Sequence, residues 1–406
     1  SSDQITLGLT SGFTAPGSGT AVIHISAGSG FAAGTYTLIN NLGGGALTSQ
    51  AFSIGSLPAD YAATLAVNNN SLEITLRFAG ADWSGNTSGL WSIASNWNGN
   101  VPIDGDKIGF TNSVHTSLTN DLSNLFLSGI TFNSGASAFS ISGNSIRLGG
   151  DIVNNSTASQ SLGFPIILTS NISFISNTGP IMLGGVISES GGSFSITKAG
   201  TGPLTLSGVN TFSGGFTSTA GDTYISGLGS GTPGAPTSGA LGTGIVTLAG
   251  GRIIYNNGVT ALYNNLIAQA GTTTTFLEAV SQPLYLYGDL SGSGNIILDA
   301  NTNYNGIRLA GDNSAFTGTV TLNSTGNSAR HKFESASAGS AAAKWIFNGP
   351  TDSGSMNFGT GTIHFGEFSG NANQIRNNST GTATLSVGAL NTDSSFTGVI
   401  SSVGSL

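Results

Sequence analysis

Apolar and polar residues alternate with period two along most of the chain, in runs of three to six positions. That period marks β-strands with one buried face. Leu72–Phe78 shows it most cleanly, with Leu72, Ile74, Leu76 and Phe78 on one face and Glu73 and Arg77 on the other. Comparable runs at Ile5–Leu9, Ala21–Ile25, Tyr36–Ile39 and Ala63–Val67 predict a small β module over residues 1–80, one that continues or caps a stack. Helical patterning is nearly missing. Ala59–Val67 and Ser335–Trp345 predict one or two turns at most.

From Ile108 to Leu406 the runs shorten and phrases recur. One phrase, aliphatic-x-Leu-x-Gly-x-aliphatic, stands at Ile146–Ile152, Ile181–Ile187 and Leu284–Leu290, with shorter relatives at Val246–Gly250 and Ile307–Gly311. A second, Phe-Ser/Thr-Gly after an Asn-containing turn, stands at Asn210 with Phe212–Gly214, Asn313 with Phe316–Gly318 and Asn391 with Phe396–Gly398. Strand-like runs recur about every 8–12 residues. Two or three runs make one coil of a β-solenoid, which gives roughly 20–25 residues per coil and about 12–15 coils. At about 4.8 Å per stacked strand, that is a rod of about 60–70 Å. Strands this short bury one or two side chains each, which suits stacking on similar neighbours better than a β-sandwich array, the second choice.

Composition sharpens this picture. There are 63 glycines among 406 residues, and charged residues make up only 7 %. Aliphatic and β-branched residues are plentiful enough to bury surface, so the low charge reads as neutral ladders and many turns rather than disorder. Net charge is −8, and the 10 Lys and Arg are dispersed. That argues against nucleic acid and against anionic lipid as partners. There is no cysteine, which suits a chain that crosses an oxidising compartment. No apolar stretch approaches the roughly 18–20 residues of a membrane span.

Three of the four tryptophans, Trp83, Trp91 and Trp97, lie in a segment over residues 81–107 that precedes the repeats. Three indoles so close together predict a hydrophobic plug at the mouth of the stack, with an aromatic platform for sugar rings as the alternative. Asp104 and Asp106 flank Gly105, a spacing that admits a calcium site but reads first as an Asx turn.

No catalytic constellation stands out. His24, His115, His331 and His364 are scattered without metal-like spacing. The run Gly227-x-Gly229-x-Gly231 lacks the strand–helix setting of a phosphate loop. Arg147 with Asp151 and Arg308 with Asp312 occupy the same place in two copies of Ile-Arg-Leu-x-Gly-Asp; an ion pair at a coil corner is the plain reading, a lyase or hydrolase groove the alternative. Tyr285 and Tyr287 share one strand face and are candidates for contact with glycans.

Ser195–Gly215 reads SITKAGTGPLTLSGVNTFSGG. It resembles the autotransporter-associated β-strand repeat, whose pattern is roughly T-K-x-G-x-G-x-L-T-L-x-G-x-N-x-Tyr/Phe-x-G-G. Ile307–Val320 and Leu385–Ile400 keep parts of it. Trp83, Gly85, Asn96, Trp97, Pro102, Gly105 and Asp106 resemble a segment that opens a solenoid in such proteins. Residues 34–78 resemble one that closes a solenoid. The resemblance implies a right-handed parallel β-helix, all-β, in a long secreted bacterial surface protein with roles in adhesion and display, and it brings no catalytic, cofactor-binding or metal residues. The expected function is therefore a non-enzymatic extracellular rod at the bacterial cell surface. Its expected partners are further units end to end, surface glycans, or the surface of a host or neighbouring cell. The tail Gly398–Leu406 parallels the stretch from Gly185 to Phe194, and so suggests a segment of a longer tandem protein or a subunit that stacks on another chain.

Overall fold

A computed structural model describes residues 21–26, 34–39, 52–57, 61–69, 71–78, 80–98, 100–227, 229–255, 261–279, 282–300, 306–324, 330–349, 352–356, 360–378 and 381–402. The run at Ile5–Leu9 and residues 403–406 of the tail lie outside the described residues.

The chain is all-β, and from the Trp-rich segment onward it is a parallel β-solenoid of about 13 turns. A regular coil contributes three short strands, as in Ile172–Ser176, Ile181–Leu183 and Ile187–Glu189. Two long sheets run along the stack, and a seven-stranded sheet forms a third face over its second half. The coil length is visible in the register. Ile141 pairs with Leu118 and Leu162 lies opposite Ile141, steps of 23 and 21 residues. The longest step, from Ile225 to Tyr255, is 30 residues and contains the antiparallel hairpin Ser230–Thr232 with Ala235–Ser238. The expected coil length and number therefore hold, with one inserted hairpin.

Three-residue strands such as Ile146–Leu148, Ile166–Leu168 and Leu204–Leu206 bury their two outer residues and turn the central one outward. The inward residues stack into columns. One runs Ile108, Ile130, Ile152, Phe174, Lys198, Ser218, Leu248, Ala268, each paired with the next. Each buried Ile or Leu side chain contributes about 1.5–3 kcal/mol of transfer free energy. Packing is tight: an internal void of about 10 Å³ lies among Leu266, Phe276, Leu286, Leu298 and Val320, apolar and no larger than a single water needs.

Residues 21–78 form a separate arrangement. Ala21–Ile23 pairs in parallel with Phe52–Ile54, while Gly34–Ile39, Ser71–Phe78 and Tyr61–Asn68 form an antiparallel sheet in that order. Leu72, Ile74 and Leu76 are buried as their alternation requires, in a cluster with Ile25, Leu38 and Phe52 that is distinct from the solenoid core. The helical turns expected at Ala59–Val67 are absent from the described part, where Tyr61–Asn68 is a strand. Alanine favours helix locally, but eight backbone partners along Ser71–Phe78 override that preference. Ser335–Trp345 likewise yields one 3-10 turn, Ala336–Ala338, and then the strand Ser340–Asn348.

Candidate functional site

The Trp-rich segment is a plug. Trp83, Trp91 and Trp97 are at most 2 % exposed. Trp97 meets Trp83 and Trp91 edge-on at 5.0 and 5.7 Å, and all three surround Phe110. The Trp97 indole N–H donates to the Trp91 carbonyl at 2.7 Å, and that of Trp83 to the His115 carbonyl at 3.3 Å. Asn96 ties the segment together: its Oδ1 accepts the N–H groups of Thr87 and Ser88, and its Nδ2 donates to Ser88 Oγ and the Leu90 carbonyl. No indole face is left open for a sugar ring.

Asp104 and Asp106 do not converge. Asp104 accepts the Phe126 N–H at 2.7 Å and the Arg147 guanidinium at 2.9 Å. Asp106 is fully buried and accepts from the Arg77 guanidinium and from the N–H groups of Ile103 and Gly80. Burial pushes its pKa up, against the opposing pull of those donors. Both carboxylates thus have structural partners. Among the described residues, no three His, Asp or Glu side chains gather as a metal site would require.

The ion pairs expected within the two Ile-Arg-Leu-x-Gly-Asp phrases do not form. Arg147 reaches Asp104, and Arg308 reaches Glu334 at 2.9 Å. Asp151 instead accepts the Ser173 N–H, and Asp312 the Ser314 N–H. Each arginine points across coils, so its carboxylate is chosen by stacking register and not by neighbours in the phrase. Gly229 and Gly231 belong to the inserted hairpin region, where no helix follows to form a phosphate cradle.

The histidines remain apart. His331 is fully buried. Its Nδ1 accepts the Ile307 N–H at 3.4 Å, so the ring proton sits on Nε2, which donates to the Asn323 carbonyl at 3.0 Å. Burial pushes its pKa down to about 4. His24 is exposed and bonds Ser56.

Lys198, from the Thr-Lys-x-Gly-x-Gly phrase, is fully buried in the column between Phe174 and Ser218. Its Nζ donates to the carbonyls of Ala199, Gly200 and Ala220 at 3.0, 2.7 and 3.0 Å, the last one coil further on. Burial pushes its pKa down to about 8. The residue closes a corner of the stack and has no access to a substrate.

Tyr285 and Tyr287 do face outward, half-buried, on the seven-stranded sheet. They stack at 5.3 Å, Tyr263 stacks on Tyr287 at 5.2 Å, and Arg308 lies over Tyr285 at 4.8 Å. The stack therefore uses most of its own ring faces. Tyr263 is not visible in the sequence as part of this stack, because only the register of the sheet brings it beside Tyr287. Elsewhere, two shallow adjoining depressions of about 350 and 320 Å³ share Ile245 and Asn265, and the second also includes Asp289 and Asp312. Asp289 Oδ1 accepts the Asp312 N–H at 2.8 Å, so the two acids form a backbone-capping ladder. Comparison with protein-family models, with curated proteins and with solved structures returns no match for this chain.

Proposed function

We propose that this β-helix repeat protein is a rigid extracellular rod of a bacterial cell surface, structural and adhesive rather than enzymatic. The observation that carries this reading is the parallel register of the stacked coils, which holds outward positions such as Ser161, Met182, Thr205 and Tyr224 in line from coil to coil. Such a surface presents repeated, spaced groups on a stiff support. The likeness to autotransporter-associated repeats is supported by the structural jobs of its signature residues. Lys198 caps a corner, Gly200 has φ +77° and lies against the Ser176 carbonyl, and Asn210 bridges coils.

Negative-stain electron microscopy of the purified chain tests the reading. Straight rods of about 60 Å, single or joined end to end, are expected. Fibres favour a filament or tandem segment; isolated rods favour a glycan-binding adhesin, the second reading, which the tyrosine and arginine strip supports. A polysaccharide lyase or hydrolase is the remaining alternative. Release of unsaturated or reducing products from an acidic or neutral polysaccharide incubated with the protein would replace the adhesive reading with that one.

A further inference from the structure

In the sheet that holds Phe216–Ser218, Val246–Leu248, Leu266–Ala268 and Leu290–Gly292, the outward positions change character within two coils. Thr197, Thr217 and Thr247 are followed in register by Ile267 and Ser291. One residue before each strand, Ser195 and Gly215 give way to Ile245, Asn265 and Asp289. Ile245 and Ile267 are 49 % and 38 % exposed, apolar surface where the coils before them present Ser, Gly or Thr. Both line the adjoining depressions of about 350 and 320 Å³, which together make one groove along the stack. The inserted hairpin borders its first half. Gly234 lines it, donates its N–H to the Tyr263 carbonyl at 2.8 Å, and lies so near Asn265 that a Cβ would stand 3.0 Å from Oδ1.

A polar row runs beside this apolar floor. Asn265 Oδ1 accepts the Asp289 N–H at 2.9 Å, Asp289 Oδ1 the Asp312 N–H at 2.8 Å, and Asp312 Oδ1 the Ser314 N–H at 3.0 Å. The first two bonds fix each side chain by one atom and leave the other for a ligand. Among the described residues, Asn265 Nδ2 and the second Asp289 oxygen have no hydrogen-bond partner. Hydrogen bonds from Ser314 hold the Asp312 carboxyl below its ordinary range. Each step along the row is one coil, about 4.8 Å, and a sugar in an extended β-linked chain advances by about 5 Å. The groove and such a chain are therefore commensurate.

We propose that this groove binds an extended, neutral, β-linked polysaccharide, one sugar per coil, with Asn265 and Asp289 bonding its hydroxyls and Ile245 and Ile267 beneath its C–H faces. The proposal rests on the adhesive reading above and names its site and ligand class. Among the described residues, no Lys or Arg lines the groove, and Asp289 and Asp312 repel anions, so acidic glycans and nucleic acid are disfavoured. A basic peptide would find its charge matched only at those two carboxylates, at one end of a groove whose other lining residues are neutral. A neutral glycan uses the donor, the acceptor and the apolar floor together.

Affinity electrophoresis of the full chain through gels containing hydroxyethylcellulose, glucomannan, dextran or polygalacturonate tests this. Retardation by one or both of the β-linked neutral polymers is expected, little changed by salt, with none by α-linked dextran or acidic polygalacturonate. Asp289→Asn with Ile267→Thr should weaken that retardation by about tenfold. Both replacements have precedents in the stack: Asn265 caps a backbone N–H from the position that Asp289 holds one coil on, and Thr247 stands in register with Ile267. The melting temperature of the double variant should therefore change little. Asp151→Asn, at an exposed carboxylate that caps the Ser173 N–H in an earlier coil, should leave retardation unchanged. No retardation by either β-linked polymer, undiminished retardation of the double variant, equal retardation by dextran, or tighter binding of an oligolysine probe would overturn the proposal. The two readings fail separately. Rods without retardation remove this groove and leave the adhesive reading standing, whereas reducing sugars released from a retarding polymer keep the groove and end the adhesive reading.

Discussion

Asn210 and Asn313 make the same bridge in two distant coils. Asn210 Oδ1 accepts the Ile187 N–H at 2.8 Å from one coil back, and its Nδ2 donates to the Ala240 carbonyl at 2.7 Å one coil on. Asn313 does this with the Leu290 N–H at 3.0 Å and the Ala338 carbonyl at 2.8 Å. Both side chains are buried, so a change to alanine leaves an N–H and a carbonyl unpaired. Asn210→Ala and Asn313→Ala should each cost about 2–4 kcal/mol, measured by urea unfolding, with the Ile187 and Leu290 amides losing hydrogen-exchange protection first. Asn391, which shares the phrase, is exposed with φ 52°, so Asn391→Ala should cost less than about 1 kcal/mol.

The glycine of the Phe-x-Gly phrase faces the preceding coil. A Cβ on Gly214, Gly318 or Gly398 would overlap the backbone of Phe194, Gly294 or Ala372 respectively. Gly318→Ala should therefore cost at least about 2 kcal/mol by forcing two coils apart. Gly135 has open space around it and φ +80°, so Gly135→Ala should cost only about 1 kcal/mol. Parallel thermal unfolding of the two variants checks the contrast.

Lys198 and His331 give the stability a pH dependence of one sign. Each is a base whose folded pKa is lowered, from 10.5 to about 8 for Lys198 and from 6.5 to about 4 for His331. Between the two values the unfolded chain binds more protons, so stability rises with pH across each window. Stability should therefore fall by about 3 kcal/mol as pH drops from 6.5 to 4, and His331→Gln should flatten that limb.

At the alkaline end, stability should rise by about 3 kcal/mol between pH 8 and 10.5 as the buried ammonium becomes able to lose its proton. Lys198→Met should abolish that rise, whatever it does at neutral pH. Denaturant titrations at fixed ionic strength read both limbs.

The architecture was legible because its causes are local. Alternation in runs such as Ile146–Leu148 and the Gly-bearing phrases report short strands and tight corners directly. Ala59–Val67 misled because helix preference is intrinsic to alanine, whereas its strand partner is a tertiary fact. The charge partners were illegible for a related reason. Coils vary in length, up to the 30-residue step from Ile225 to Tyr255, so phrase position does not say which carboxylate meets Arg147 or Arg308. The burial of Trp83, Trp91 and Trp97 followed from their size and spacing, but Asn96 as the hub between them did not.

The solenoid register is the claim on which the rest depends, and the absence of native cysteine makes it directly measurable. Spin labels on paired cysteines at Ser161 with Thr205, and at Ser161 with Leu277, sample outward positions two and five register steps apart. Electron spin resonance, continuous-wave for the near pair and pulsed for the far one, should return mean separations of about 10 and 24 Å, a rise of about 4.8 Å per coil despite very different separations in sequence. Separations that fail to grow with coil number, as in an array of sandwiches, would contradict the account.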